Sequence, residues 1–156
     1  MAGRIAVVGA GAIGGYAGGH MARAGHDVTL IDAWPEHVEA MRGDGLHISG
    51  MTPAENVNVK VNALHISDVQ QVVKQQPFDI VFMCVKSYDT VWATHLMKDY
   101  LAPGGFVVSL QNCINEELIA GVVGWGKVMG CIASLDRKST RLNSSHIPLS
   151  RMPSSA

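Results

Sequence analysis

The feature that most limits what this chain can become is the hexapeptide G-A-G-A-I-G at residues 9–14. A strand-like run at 4–8, apolar and largely β-branched after Arg4, precedes it, and a stretch rich in small residues at 13–24, closed by Gly25, follows. A strand that turns at once into a helix and meets a ligand there needs glycine at three places. Gly9 permits the tight turn, Gly11 lets the backbone approach a pyrophosphate, and Gly14 lets the helix lie close to the strand. With Ala10, Ala12 and Ile13 between them, these residues offer an anion the free N–H groups and positive dipole end of a helix N-terminus. Gly18 and Ala22 continue the small face along the helix. A glycine-rich βα turn with no ligand is the plainer alternative.

Eighteen residues beyond Gly14, at the predicted end of the second strand, stands Asp32. A dinucleotide site puts there the carboxylate that binds the adenosine ribose; the same residue could instead cap a helix beginning near Pro35. Methyltransferases also use a glycine-rich first loop, but they commonly carry an acid before the first glycine, where this chain has Val7 and Val8.

The remaining pattern predicts an α/β fold, a doubly wound parallel sheet of Rossmann type built from right-handed βαβ units. Strands are expected at 4–8, 27–31, 46–49, 57–61, 80–85, 106–110 and 127–132, and helices at 13–24, 35–42, 69–75, 89–101 and 116–123. The length of 156 residues suits one domain and not two. Hydrophobic residues at 47% against 16% charged describe a chain that buries a core. A net charge of -1 provides no footprint for nucleic acid or an anionic membrane surface. The longest apolar run, at 80–85, is far too short to span a bilayer. Cys84, Cys113 and Cys131 form neither a disulfide framework nor a zinc pattern, which fits a reduced, cytoplasmic protein. His20, His26, His37, His47, His65, His95 and His146 show no metal-ligand spacing and are expected to face solvent or serve structure. Trp92 and Leu96 share a helix face and are expected in the core.

Composition changes near residue 136. The stretch 136–156 has no glycine and neither a helical nor a strand period. D-R-K-S-T-R-L-N-S-S-H at 136–146 resembles the in-frame translation of a sequencing-adapter oligonucleotide, and S-R-M-P-S-S-A at 150–156 resembles its continuation. The expected organisation is a dinucleotide-binding domain at 1–135 and a disordered, non-native tail at 136–156 that takes no part in function.

Three stretches together resemble one family. R-I-A-V-V-G-A-G-A-I-G-G at 4–15, V-K-S-Y-D-T at 85–90 and L-Q-N-C-I-N-E-E at 110–117 are similar to the N-terminal domain of ketopantoate reductase (2-dehydropantoate 2-reductase). The resemblance covers essentially all of 1–135, and its second and third stretches are the more specific. It implies reduction of 2-dehydropantoate to pantoate with NADPH, on the route to pantothenate and coenzyme A. It also implies that Lys86 is the family's lysine near the cofactor and Asn112 the asparagine beside nicotinamide and substrate, a small 2-oxo acid. On position alone, Lys86 is equally a solvated strand-end lysine and Asn112 a turn residue. The family's catalytic lysine, general acid and substrate ligand, belongs to a helical C-terminal domain that has no counterpart here. Ketone reduction needs a proton as well as a hydride, so the chain alone is expected to bind cofactor without turnover. Apolar surface left open near Asn112 is expected to favour self-association.

Two positions depart from the family. Cys113 stands where glycine usually follows the asparagine; if that site requires positive φ, cysteine costs about 1–2 kcal/mol there. NADPH-dependent members usually carry arginine near the end of the second strand, where this chain reads Asp32, Ala33, Trp34, Pro35, Glu36, His37. A carboxylate about 4 Å from a 2′-phosphate charge costs on the order of 4 kcal/mol at an effective dielectric of about 20. The resemblance thus argues for NADP(H), and Asp32 for NAD(H). Trp34 is placed either to stack on adenine or to pack on the surface. The alternatives are an NAD-dependent D-2-hydroxyacid dehydrogenase of the same family and a non-catalytic dinucleotide-sensing module.

Overall fold

A computed structural model of the chain describes residues 3–50 and 52–132; the tail expected at 136–156 lies outside them. The strands are β1 (Ile5–Val8), β2 (Val28–Asp32), β3 (Leu46–Ile48), β4 (Val57–Val59), β5 (Asn62–His65), β6 (Phe78–Met83), β7 (Leu101–Ser109) and β8 (Val128–Gly130). The helices are α1 (Ala12–Arg23), α2 (Pro35–Gly43), α3 (Thr90–Met97) and α4 (Glu116–Val123).

All four residues of β1 are apolar and buried. A strand apolar on both faces belongs inside a parallel sheet covered on both sides, and β1 is there. The main sheet runs β5-β2-β1-β6-β7-β8, every neighbouring pair parallel. Ile5 and Val7 enter a core with Leu30, Val38, Met41 and Leu46, beneath α1, α2 and the antiparallel β3–β4 pair. Ala6 and Val8 enter the opposite core with Val69, Phe78, Met97 and Ile119, beneath α3, α4 and a 3-10 segment at Ile66–Lys74. The doubly wound parallel sheet expected from the sequence is the fold observed.

Helix α1 buries four glycines, Gly14, Gly15, Gly18 and Gly19. Each costs a helix about 1 kcal/mol relative to alanine, so α1 owes its stability to what it packs against. A Cβ on Gly18 would strike Leu30 and Val7, and one on Gly19 would strike Ile48 and Leu46. The helix is wedged between the main sheet and the β3–β4 pair.

Several elements differ from expectation. Strand β5 was not predicted: N-A-L-H has little β-branched character, and its partner β2 supplies the ladder from Thr29↔Asn62 to Asp32↔His65. The strands expected at 46–49 and 57–61 form their own two-stranded sheet. The segment expected as a helix at 69–75 is 3-10. The helix expected to run to 101 is α-helical only to Met97, because Leu101 already pairs with Phe78 at the start of β7. The register shifts between Phe78 and Ile80, opposite the stretch that contains Pro103, which has no N–H to give a ladder. Strand β6 begins two residues earlier than expected and ends at Met83. Trp92, expected in the core, is 39% exposed, its Nε1 donating to Asp89 Oδ1 at 2.6 Å. Leu96 does pack on the core. Among the described residues no helix is long and apolar enough to cross a membrane, and no group of three or more His, Cys, Asp or Glu could hold a metal ion.

Candidate functional site

From β1 the chain builds outward through β2 to β5, then returns to the other side of β1 for β6, β7 and β8. The connections leaving β1 and β6 therefore diverge and open a crevice at the strands' carboxyl ends, the place where open α/β sheets bind ligands. Gly9 follows β1, Asp32 ends β2, Lys86 follows β6 and Asn112 follows β7. The candidate positions lie along one edge of the sheet.

At the glycine loop, Gly9 has φ +92°, and a Cβ there would lie 2.8 Å from the Val85 nitrogen. Backbone conformation and space both require glycine. Gly14 is demanded by packing, since its Cβ would meet the Gly9 carbonyl, Cys84 and Val7. Gly11 is different: a Cβ would meet nothing within 4 Å. No neighbour in the protein forbids a side chain there, so the open space before it is free for a ligand. Gly11 is also the N-cap of α1, which has no side-chain cap and no acidic residue in its first turn. The first turn, Ala12 and Ile13 included, contributes no carboxylate of its own that would compete with an anion.

At the corner where β2 ends, Asp32 Oδ2 accepts from the Ala10 N–H at 2.7 Å and Oδ1 from the Trp34 N–H at 2.9 Å. Capping of α2 by Asp32 does not occur: the N-cap is Trp34, without a side-chain bond. Asp32 instead closes an Asx turn and ties it to the glycine loop. Each carboxylate oxygen keeps a further acceptor site. His37 Nε2 lies 2.9 Å from the Ala10 carbonyl oxygen. His65 Nδ1 accepts from the Ser67 N–H at 3.2 Å, so its Nε2 carries the hydrogen donated to the Ala33 carbonyl at 2.9 Å. Arg42, the only Arg or Lys of α2, is taken up by Glu39, Asp68 and the Ala63 carbonyl. The hydrogen bond from Arg42 holds the Asp68 carboxyl below its usual range, and the bond to Asp68 raises Arg42 in turn. No arginine or lysine of α2 is left free for a 2′-phosphate.

At the other end, Lys86 is exposed and has no ion-pair partner among the described residues. Asn112 is exposed too, and its carbonyl accepts from Ser87 Oγ at 3.0 Å and Asn115 Nδ2 at 2.8 Å. Gln111 Nε2 donates to the Val85 carbonyl at 2.8 Å and Thr90 Oγ1 at 2.9 Å. Side chains of the 85–90 and 110–117 stretches thus latch the connections after β6 and β7 together. Cys113 has φ +71°, the positive value that the glycine of the resemblance implied. A cavity of about 330 Å³ opens beside this latch, lined by Ile13, Asn112, Cys113, Glu116 and Cys131 among others. Burial pushes the thiol of Cys84, just after β6, up to about 12, which disfavours its thiolate.

Sequence reasoning missed His37, His65, Ser87, Gln111 and Asn115. The last three stand inside the quoted motifs, so spacing from Lys86 and Asn112 could have found them. The two histidines serve structure, one of the two roles expected, but their acceptors are backbone carbonyls 27 and 32 positions away, which leave no trace in side-chain pattern.

The chain is similar to known proteins in sequence and in fold. A 2-dehydropantoate 2-reductase of Pyrococcus abyssi (strain GE5 / Orsay) is 38% identical over 132 residues, 84% of this chain and 40% of that protein. The crystal structure of a PanE/ApbA family ketopantoate reductase from Ralstonia eutropha JMP134 is 39% identical and superposes with TM-score 0.73, covering 85% of this chain and 42% of that one. A ternary structure of D-mandelate dehydrogenase with NADH and anilino(oxo)acetate is 26% identical with TM-score 0.70, over 80% of this chain and 39% of that one. The chain spans about 40% of the length of these curated relatives. The family profile of ketopantoate reductase PanE/ApbA matches residues 5–149, and the chain belongs to that family.

Proposed function

We propose that this chain is the dinucleotide-binding part of an NAD(P)H-dependent 2-oxo acid reductase, with 2-dehydropantoate the leading substrate and NADH the preferred cofactor. The observation that carries the reading is the row of Gly11, Asp32, Lys86 and Asn112 along the carboxyl edge of the sheet, with open space before Gly11. The residues fit such a cofactor. Gly9 to Gly14 and the uncapped first turn of α1 receive the pyrophosphate, and the spare acceptor sites of Asp32 take the ribose hydroxyls. Lys86 offers a free cation and Asn112 a side-chain amide at the nicotinamide end. A reduced nicotinamide bound there supplies the hydride. The proton that the ketone oxygen also needs comes, in this reading, from the part of the relatives that this chain does not match.

Cofactor preference follows from Asp32. Charged hydrogen bonds to the ribose contribute roughly 1.5–3 kcal/mol, whereas the same carboxylate repels a 2′-phosphate. If half of the repulsion survives screening, NADH binds at least about tenfold more tightly than NADPH. Fluorescence titration of both cofactors tests this, and tighter binding of NADPH by the unmodified chain overturns it. Asp32→Asn turns an NH₂ toward one of the two backbone N–H groups now held, so both cofactors weaken while the gap between them narrows. The purified chain should bind NADH yet reduce no 2-dehydropantoate; measurable turnover places the proton donor within these residues after all. Deleting 136–156 should leave both dissociation constants unchanged, a direct test of the 1–135 boundary because the family match runs on to 149.

A D-2-hydroxyacid dehydrogenase is favoured by one observation, the likeness to the D-mandelate dehydrogenase solved with NADH. The readings part on whether 2-dehydropantoate or anilino(oxo)acetate raises the melting temperature of the NADH-bound chain.

A further inference from the structure

Ala10 is held from both ends by the corner that joins β2 to α2. Asp32 takes its N–H at 2.7 Å, and His37 Nε2 meets its carbonyl at 2.9 Å. A carbonyl oxygen has no hydrogen to give, so Nε2 is the donor and the imidazole carries its hydrogen there. Ala10 is 1% exposed and lies between Gly9, at φ +92°, and Gly11, the N-cap of α1. Glycines have the widest backbone freedom of any residue, and here the residue between two of them is fixed by two side chains from outside the loop.

We propose that His37 is a positioning residue for the dinucleotide: by holding the Ala10 carbonyl it keeps the glycine loop in its cradle shape before the ligand arrives. This rests on the reading that the loop binds a dinucleotide. A loop already ordered spends none of the ligand's binding energy on ordering. Without His37 that carbonyl, buried with Ala10, loses a donor, and the segment from Gly9 to Gly11 is freed to move.

The test uses the full 156-residue chain and NADH as the probe, with His37→Ala, His37→Gln and, as control, the exposed His95→Ala. His37→Ala should raise the NADH dissociation constant about five- to twentyfold. Glutamine extends an amide N–H to nearly the position of Nε2, so His37→Gln should return the constant to within about twofold, a rescue that a purely packing role for the ring would not give. His95→Ala should change nothing. Nitrogen-15 spectra of neutral His37 should show the Nε2–H tautomer, and amides at 9–14 should exchange faster in His37→Ala. Equal NADH affinity in His37→Ala and the unmodified chain, no rescue by glutamine, or an Nδ1–H tautomer overturns the proposal. If the unmodified chain binds no dinucleotide, the functional reading falls. The tautomer and the exchange rates then decide, without ligand, whether His37 orders the loop.

Discussion

Cys113 carries the plainest local cost among the described residues. An L-residue in the left-handed region is destabilised by about 1–2 kcal/mol, and φ +71° puts Cys113 there. The site persists because the residue before it is tied down, its carbonyl accepting from both Ser87 and Asn115. Cys113→Gly should relieve the strain, less the roughly 0.5–1 kcal/mol of extra backbone entropy that glycine loses on folding. The expected net gain is about 0.5–1 kcal/mol, read as a higher urea midpoint with unchanged slope; a lower midpoint would mean that the thiol makes contacts worth more than the strain. At this scale the legible residues were those with a backbone reason to be what they are. Gly9, Gly14 and the oddity of Cys113 could all be read from sequence, because positive φ and close packing admit few residue types. The two acceptances of Asp32 and the donation by His37 could not, since any backbone N–H or carbonyl brought near by the fold would serve.

Among the elements, α1 answers most directly to its sequence. Alanine is about 1 kcal/mol better than glycine in a free helix, so any loss on substitution reports packing. At Gly14 the new Cβ meets the Gly9 carbonyl, which is fixed backbone; at Gly18 it meets chiefly a methyl of Leu30, which can turn aside. Gly14→Ala should therefore cost about 3 kcal/mol and Gly18→Ala no more than about 1 kcal/mol, compared by chemical denaturation. Equal losses would show that the whole helix is displaced as a body. The β1–α1–β2 unit and α4 were legible to within a residue or two, because buried β-branched runs and terminal glycines mark their ends. Strand β5 was not: its place follows from an empty edge on β2 rather than from its own N-A-L-H. The 3-10 geometry of Ile66–Lys74 has no mark in the sequence that we can identify.

Across the whole molecule, apolar surface gathers at one end of the sheet. Ile114 is 83% and Ile132 95% exposed, and both line the cavity beside Asn112. Exposed apolar area of this kind drives association. Sedimentation velocity should show reversible self-association that rises with concentration and weakens in Ile114→Asp; a monomer at every concentration would refute it. The bond between Asp32 and the Ala10 N–H has a consequence for how such a protein can change through descent. On the proposed reading, the residue that discriminates between the two nicotinamide cofactors also fastens the loop proposed to hold them. A lineage moving toward the phosphorylated cofactor cannot exchange that carboxylate for a cation in one step without also unfastening the loop. With the Ala10 carbonyl still held by His37, a second substitution that ties down the freed N–H would have to come first or together with it, so that on this reading cofactor choice and loop geometry would be inherited as a pair.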